Sequence, residues 1–339
     1  SRIPQGITHL SVQAKVQSIS KGGAFAHQND LEQVDIAEGV QEIQDEAFLF
    51  CSNLKLAWMP STLNRVGNRA FLGCDLLRHV EFCEGLQVIE SRSFFRCRSL
   101  QMVDLPASVK SIGRLAFYGC QAMLSIGLQE GLQVIAKQAF ASCVALQRAA
   151  IPSTLEVVEG GAFDNCSSLE DVRLQEGLIR IGERAFAGCT SLCAVSIPSS
   201  TNEIGTGAFS GCTSLLGVEI PSIANVYFGS WVFCGCEWLI NIIPYDFAES
   251  MLGLPNDFDG CWRLHVSDED GIELNITPDR FDALPVHQAC YLASTTTVED
   301  LRNRINEAST ADRELEDNLE MTPFHIVATS RNLRSDILQ

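Results

Sequence analysis

Residues Phe163 to Phe186 read FDNCSSLEDVRLQEGLIRIGERAF. Phenylalanine opens the stretch and returns twenty-three positions later; Cys166 follows the first ring by three residues, and Leu169 follows the cysteine by three. The spacing extends in both directions. Phe25, Phe48, Phe71, Phe94, Phe117, Phe140, Phe163, Phe186 and Phe209 lie on one 23-residue grid, and Phe233 and Phe258 continue it after small insertions. Alanine, once serine, precedes each of the first nine. Cys51, Cys74, Cys97, Cys120, Cys143, Cys166, Cys189 and Cys212 stand three residues after phenylalanine, with Cys236 and Cys261 beyond. Leu54, Leu77, Leu100, Met123, Leu146, Leu169, Leu192, Leu215, Leu239 and Leu264 follow three further on. Three apolar columns, one held through eight identical intervals and two through seven, demand a structure that repeats with them.

Within each period, positions such as Leu169, Val172 and Leu174 read as a short strand with alternate side chains inward. Pro60, Pro106, Pro152, Pro198 and Pro221 end that strand, because proline brings no N–H to a ladder. Glu38-Gly39, Glu84-Gly85, Glu130-Gly131 and Glu176-Gly177 form the exits in between, so the two exits alternate up to Pro198 and superimpose a 46-residue period. That pattern points to duplication of a two-turn unit. One turn cannot bury its apolar side alone; turns stacked at about 4.8 Å share one core and one parallel sheet. The expected fold is therefore a solenoid of about ten to eleven turns.

The chain has 339 residues, 46% of them hydrophobic and 19% charged, which suits an elongated repeat domain with a small second unit. Its net charge of −18 argues against non-specific nucleic-acid binding and against docking on anionic membranes. No apolar run approaches the ~20 residues a membrane-spanning helix needs, so no membrane insertion is expected. The chain starts at Ser1 without methionine or a signal-type segment, and the expectation is that the native N-terminus is absent.

The pattern Ser-Leu-x-x-Val-x-Ile-Pro-x-x-Leu-x-x-Ile-Gly-x-x-Ala-Phe-x-Gly-Cys, well kept from Gly113 to Cys120 and from Ile181 to Leu192, resembles the BspA-like, or treponemal-type, leucine-rich repeats over about residues 8–265. The resemblance implies a curved solenoid with its parallel sheet on the concave face and short helical or irregular convex segments. It implies protein binding and no chemistry. Leu284 to Cys290 and Met321 to Ala328 resemble the Thr-Pro-Leu-His-x-Ala start of ankyrin repeats, with Asp317 ahead of the second match; the two lie 38 residues apart rather than 33, and Leu284 replaces the threonine. The joining of these modules resembles proteins of microalgae, diatoms in particular. The domain layout expected is a solenoid over 1–265, capped at about 240–265 by Trp238, Phe247 and Trp262, an acidic linker over 266–283, and an ankyrin-like helical segment over 284–339.

Fourteen cysteines invite a disulfide or zinc reading. Equivalent positions on successive turns, however, have nearly parallel Cα–Cβ vectors, whereas a disulfide needs Cβ atoms converging to roughly 3.5–4.5 Å. Zinc needs four ligands meeting at a point, and a ladder is a line. The thiols are expected to be reduced and packed as small apolar groups, which favours an intracellular, cytoplasmic location. His9, His27, His79, His265, His287 and His325 stand in no metalloprotease or nucleophile-elbow context, and there is no phosphate-binding loop. Asp268-Glu269-Asp270-Gly271 resembles part of a calcium loop but lacks its later ligands. No catalytic residue, cofactor or metal is expected.

Two surfaces are candidates for a partner. Outward strand positions stack into columns, and Trp58, His79, Glu81, Met102 and Asp104 make a mixed apolar and acidic patch with an aromatic anchor. The residue after each phenylalanine is Leu49, Leu72, Phe95 and Tyr118 on four consecutive turns, with Phe50 beside them, and smaller or polar thereafter. If these face outward they form an apolar stripe of roughly 15 Å, the kind that marks contact surfaces. The leading function is a non-enzymatic scaffold that binds another protein. The alternatives are a surface or extracellular adhesin, to which the sequons at Asn165 and Asn275 lend slight support, or the targeting arm of a larger enzyme.

Overall fold

In the computed structural model the described residues are 7–12, 18–19, 23–220 and 226–239, with the backbone of three further strands at 241–243, 265–267 and 273–275. The chain winds into a solenoid with two parallel sheets. A front sheet of eleven strands runs in sequence order from His9–Val12 to Asn241–Ile243. A flank sheet of ten two-residue strands runs from Ser18–Ile19 to Tyr227–Phe228. Each strand pairs with its equivalent one turn away: Leu56 with His79 and Trp58 with Glu81 in front, Arg65 with Val88 on the flank. The sequence reading expected the first sheet only. The second rests on pairs such as Val88–Ile89 and Arg180–Ile181, too short to show an alternation that marks a strand.

Between flank and front sheets lies a turn face, and among the described residues it contains no helix, so the short convex helices implied by the resemblance are absent there. The reason is local. Two residues per turn, two before and two after the phenylalanine, take positive φ: Glu46 (62°) and Phe50 (53°) about Phe48, Arg92 (56°) and Arg96 (59°) about Phe94. A left-handed residue every four positions cannot continue a right-handed helix. Instead, alternate backbone N–H groups donate to the next turn, as in Glu46 to Asn68 O (2.9 Å), Phe48 to Ala70 O (2.7 Å) and Phe50 to Leu72 O (2.8 Å). The intervening amides close tight turns, such as Ala47 to Gln44 O and Cys51 to Phe48 O. The inter-turn bonds of these alternate amides around each phenylalanine point from one turn to its C-terminal neighbour, whereas further along the face amides such as Leu76 and Ser99 donate back to Ser52 O and Asp75 O.

The three sequence columns meet in one dry interior. Phe48 through Phe233 are fully buried, and their rings stack in a continuous file: Phe71 lies 5.1 Å from Phe94 at 4°, and Phe209 lies 5.8 Å from Phe233 across the insertion. At roughly 1.5–3 kcal/mol for each buried phenylalanine, this file is a major stabilising element. The cysteines of the ladder are buried with them, and each thiol donates to the carbonyl of the phenylalanine one turn back: Cys74 to Phe48 O at 3.2 Å, Cys97 to Phe71 O at 3.1 Å, Cys236 to Phe209 O at 3.2 Å. Ten of the described cysteines, Cys51 to Cys212, are free thiols. A thiol at this place fills a small apolar gap and also donates to a buried carbonyl, which alanine cannot do.

The alternating exits lock neighbouring turns in pairs. The carboxylate of Glu38 accepts from Ser61 N (2.9 Å) and Ser61 Oγ (3.0 Å), while Gly39 N donates to Thr62 Oγ1 (2.9 Å) and that hydroxyl donates to Val40 O (2.9 Å). Glu130 with Ser153, and Glu176 with Ser199, repeat the clip. Gly39, Gly131 and Gly177 have φ near 100°, a conformation that favours glycine. The 46-residue period is thus a physical unit, an acidic exit seated on the hydroxyls of the next proline exit.

The ankyrin-like segment 284–339 and most of the expected cap lie outside the described residues. Within the acidic stretch, the backbone of Glu273–Asn275 pairs antiparallel with His265–Ser267.

Candidate binding surfaces

The front sheet turns alternate side chains outward, and registration aligns them. Leu56, His79, Met102 and Ser125 pair in sequence across four strands, and Trp58 pairs with Glu81 in the adjacent column. Asp104 continues the second column opposite Gly127. His79, Glu81, Met102 and Asp104 are exposed and Trp58 is half-buried, so the five side chains expected as one patch share one face. Met102, at 52% exposure, is its most open apolar group. Leu124 at 47% extends the apolar part from the strand edge; the sequence reading missed it because it precedes the alternating positions. Towards the C-terminal turns the columns lose their bulky apolar residues and mix small with charged ones, Arg148, Ala150, Asp171, Arg173, Ala194, Gly217 and Glu219. Gly127 leaves room for its neighbour, since a Cβ there would lie 3.0 Å from Asp104 Oδ1.

The second surface is on the turn face. Leu49, Leu72, Phe95 and Tyr118 form one column and each is half-buried, not fully open. Phe95 and Tyr118 stack at 4.9 Å and 10°. Phe50 at 45% exposure stands beside the column with the His27 ring 5.4 Å away. The Phe50 ring covers Gly73, where a Cβ would collide with it, and the Arg96 stem comes within 3.4 Å of the Cβ position of Gly119. Bulky residues and glycines alternate at this column because each bulky side chain occupies the space above the next turn. The guanidinium of Arg96 sits 5.4 Å from the Phe95 ring centre. The sequence reading missed the arginines here; the Phe50-Gly73-Arg96-Gly119 alternation is the signal that points to them.

Titratable groups fit a structural role elsewhere. Burial pushes the Cys51 thiol up to about 11, and desolvation raises Cys74, Cys120, Cys166 and Cys189 well above the ordinary thiol range, so none is set up as a thiolate nucleophile. Hydrogen bonds from the serine N–H groups hold the carboxyls of Glu130 and Glu176 below the ordinary range, as those from Ser61 do for Glu38. Desolvation raises that of Asp164 despite its ion pair with Arg184 at 3.2 Å. No helix among the described residues is long and apolar enough to cross a membrane.

Comparison with known proteins places these features. The family described as BspA type leucine rich repeat region matches residues 5–124 and 112–240 in six copies. Among solved structures, the chain is similar to the T. pallidum leucine rich repeat protein TpLRR, with 27% identity over 47% of this chain and 77% of that one at a TM-score of 0.45. It is similar to the pneumococcal vaccine antigen PcpA at 21% identity over 70% and 72% of the two chains (TM-score 0.47). A leucine rich cell surface protein from Faecalibacterium prausnitzii A2-165 shows 22% identity over 70% and 87% (TM-score 0.37). No curated protein matches the chain.

Proposed function

Because the chain belongs to the BspA-type leucine-rich repeat family, we propose that it is a non-enzymatic scaffold that binds another protein through the N-terminal half of its front sheet. The observation that supports this most is the register-locked patch of Trp58, His79, Glu81, Met102 and Asp104, in which an open methionine and an aromatic ring lie among polar groups. Methionine adapts to irregular partner surfaces, and a half-buried tryptophan is a pre-formed anchor with little entropy to lose. The sheet behind it is rigid, so recognition requires little reorganisation of this side.

The location proposed with it is intracellular. Only reduced thiols can donate the Sγ–H···O bonds of the ladder, and Cys193 is exposed and free, as suits a reducing compartment.

The test is quantitative. Proteins retained by the immobilised whole chain are identified by mass spectrometry, and the affinity of each is measured for wild type, Met102→Asp and Trp58→Ala. The expected result is a loss of at least about tenfold, about 1.4 kcal/mol, for both variants with unchanged thermal unfolding. A partner held equally by all three proteins overturns the front-sheet assignment.

A further inference from the structure

We propose that the turn face spanning residues 46–118 is a second interface, separate from the front sheet, that binds an acidic polypeptide segment bearing aromatic or apolar side chains. Three columns carry it. The side chain two before each phenylalanine lies against the one after it on the same tight turn, as shown where the first is glycine: a Cβ on Gly161 would lie 3.6 Å from Asp164 Cβ, and one on Gly207 would lie 3.6 Å from Ser210 Cβ. Arg92 therefore adjoins Phe95 as Arg69 adjoins Leu72, and Phe50 and Arg96 stand at the next position along. The result is a band of rings and guanidiniums on consecutive turns.

Charge selects the occupant. The chain carries a net charge of −18, and seven of its fourteen described lysines and arginines are paired with carboxylates, among them Arg65 with Glu90, Arg69 with Glu46, Arg98 with Asp75 and Arg180 with Glu159. Of the seven cations with no carboxylate within 4.0 Å among the described residues, Arg78, Lys110 and Arg148 lie elsewhere, while Arg92 and Arg96 stand in the band and Arg114 and Lys137 directly precede its first column. Guanidinium forks match carboxylates bidentately and lie flat on aromatic rings, so unpaired arginines among rings suit a ligand offering both carboxylates and apolar groups. A nucleic acid fits less well, because Glu46, Asp75 and Glu90 interrupt the cations, and spaced guanidiniums suit separated carboxylates better than a continuous phosphate backbone.

The fold does not require these residues. On later turns the same three columns hold Gly161, Asp164 and Asn165, then Arg184, Ala187 and Gly188, then Gly207, Ser210 and Gly211, and the rings of the core stack equally well there. Phe50 and Arg96 also accept a left-handed backbone, φ 53° and 59°, at a column that Gly73, Gly119, Gly188 and Gly211 fill without strain. Bulky residues kept at a strained, exposed position where glycine serves the fold are placed for something other than folding.

The experiment uses the whole chain and a fluorescein-labelled peptide of four Glu-Glu-Tyr repeats, with binding read by anisotropy at low and high salt, and a twelve-residue oligouridylate as the competing probe. The expected result is saturable peptide binding, weakened at least tenfold by salt. Arg92→Glu with Arg96→Glu should lose at least tenfold, and Phe50→Gly should lose severalfold while unfolding at the same or a higher temperature than wild type. Trp58→Ala should leave peptide binding unchanged, which separates this surface from the front sheet. Absence of saturable binding, binding indifferent to the arginine reversals, or tighter binding of the oligouridylate overturns the proposal.

Discussion

At the scale of single residues, the cysteines show how one side chain serves two demands. From Cys74 to Cys236, each ladder thiol among the described residues fills a gap between stacked rings and donates to a phenylalanine carbonyl that already accepts one backbone N–H. Cys120→Ala removes both and is expected to cost about 1–2 kcal/mol, measured by denaturant unfolding; a cost near zero would show the Sγ–H···O bond to be idle. Native-state alkylation mapped by mass spectrometry should modify exposed Cys193 first among the described cysteines and reach the ladder only after unfolding, since buried thiols held above their ordinary range offer almost no thiolate. Asp164 is the opposite case, a carboxyl in a column where Ala141 and Ala187 are buried. Its raised pKa means that ionisation is disfavoured in the fold, so the associated stability is present at low pH and is lost as pH rises through the folded value. Asp164→Ala should therefore leave the melting temperature at pH 7 unchanged or higher, and a clear fall would show that the Arg184 pair outweighs desolvation. The sequence made the cysteine ladder legible through its spacing. It could not reveal the hydrogen bond, because the acceptor belongs to the preceding turn.

At the scale of the element, the paired exits explain a period that sequence alone attributed to ancestry. An acidic exit needs hydroxyls and free N–H groups to receive it, and the proline exit supplies both one turn later. The depressed carboxyls of Glu38, Glu130 and Glu176 fix the sign of the pH effect. A pKa below the unfolded value contributes stability that is complete above the ordinary glutamate range, near pH 4, and is lost as pH falls through the lower folded value. Replacing all three by glutamine should lower the melting temperature at pH 7, and the difference should shrink as pH falls through the lowered folded values and the wild-type clips become protonated. An effect that does not change with pH would mean that the clips act by shape and not by charge. The flank sheet, by contrast, was illegible: two-residue strands have no period, and only the winding of the chain brings Ser111 beside Val88 and Val134. The arginines of the turn-face band were missed for a like reason: Arg92 and Arg96 stand three before and one after Phe95 and flank it through left-handed residues that no hydrophobic pattern encodes, although the apolar column itself was read from its spacing.

At the scale of the molecule, each turn touches chiefly the turns before and after it, so stability propagates along one dimension. Phe140 stacks on Phe117 at 5.4 Å and on Phe163 at 5.2 Å. Phe140→Ala should cost about 3–5 kcal/mol locally and make unfolding lose its cooperativity, with hydrogen exchange accelerating first in the turns on either side; a uniform rise along the chain would contradict a one-dimensional array. The architecture was legible because three columns of apolar residues cannot keep step without superposing, while the binding surfaces were legible only as columns, not as exposures. The one-way amide ladder around the phenylalanines of the turn face has an outcome for the ends of the molecule. Its peptide dipoles all point along the solenoid axis in the same sense, so the array has a donor pole at its C-terminal end and an acceptor pole at its N-terminal end. Plugs for the two ends must then be chemically opposite, and two such arrays can be spliced head to tail but not nose to nose.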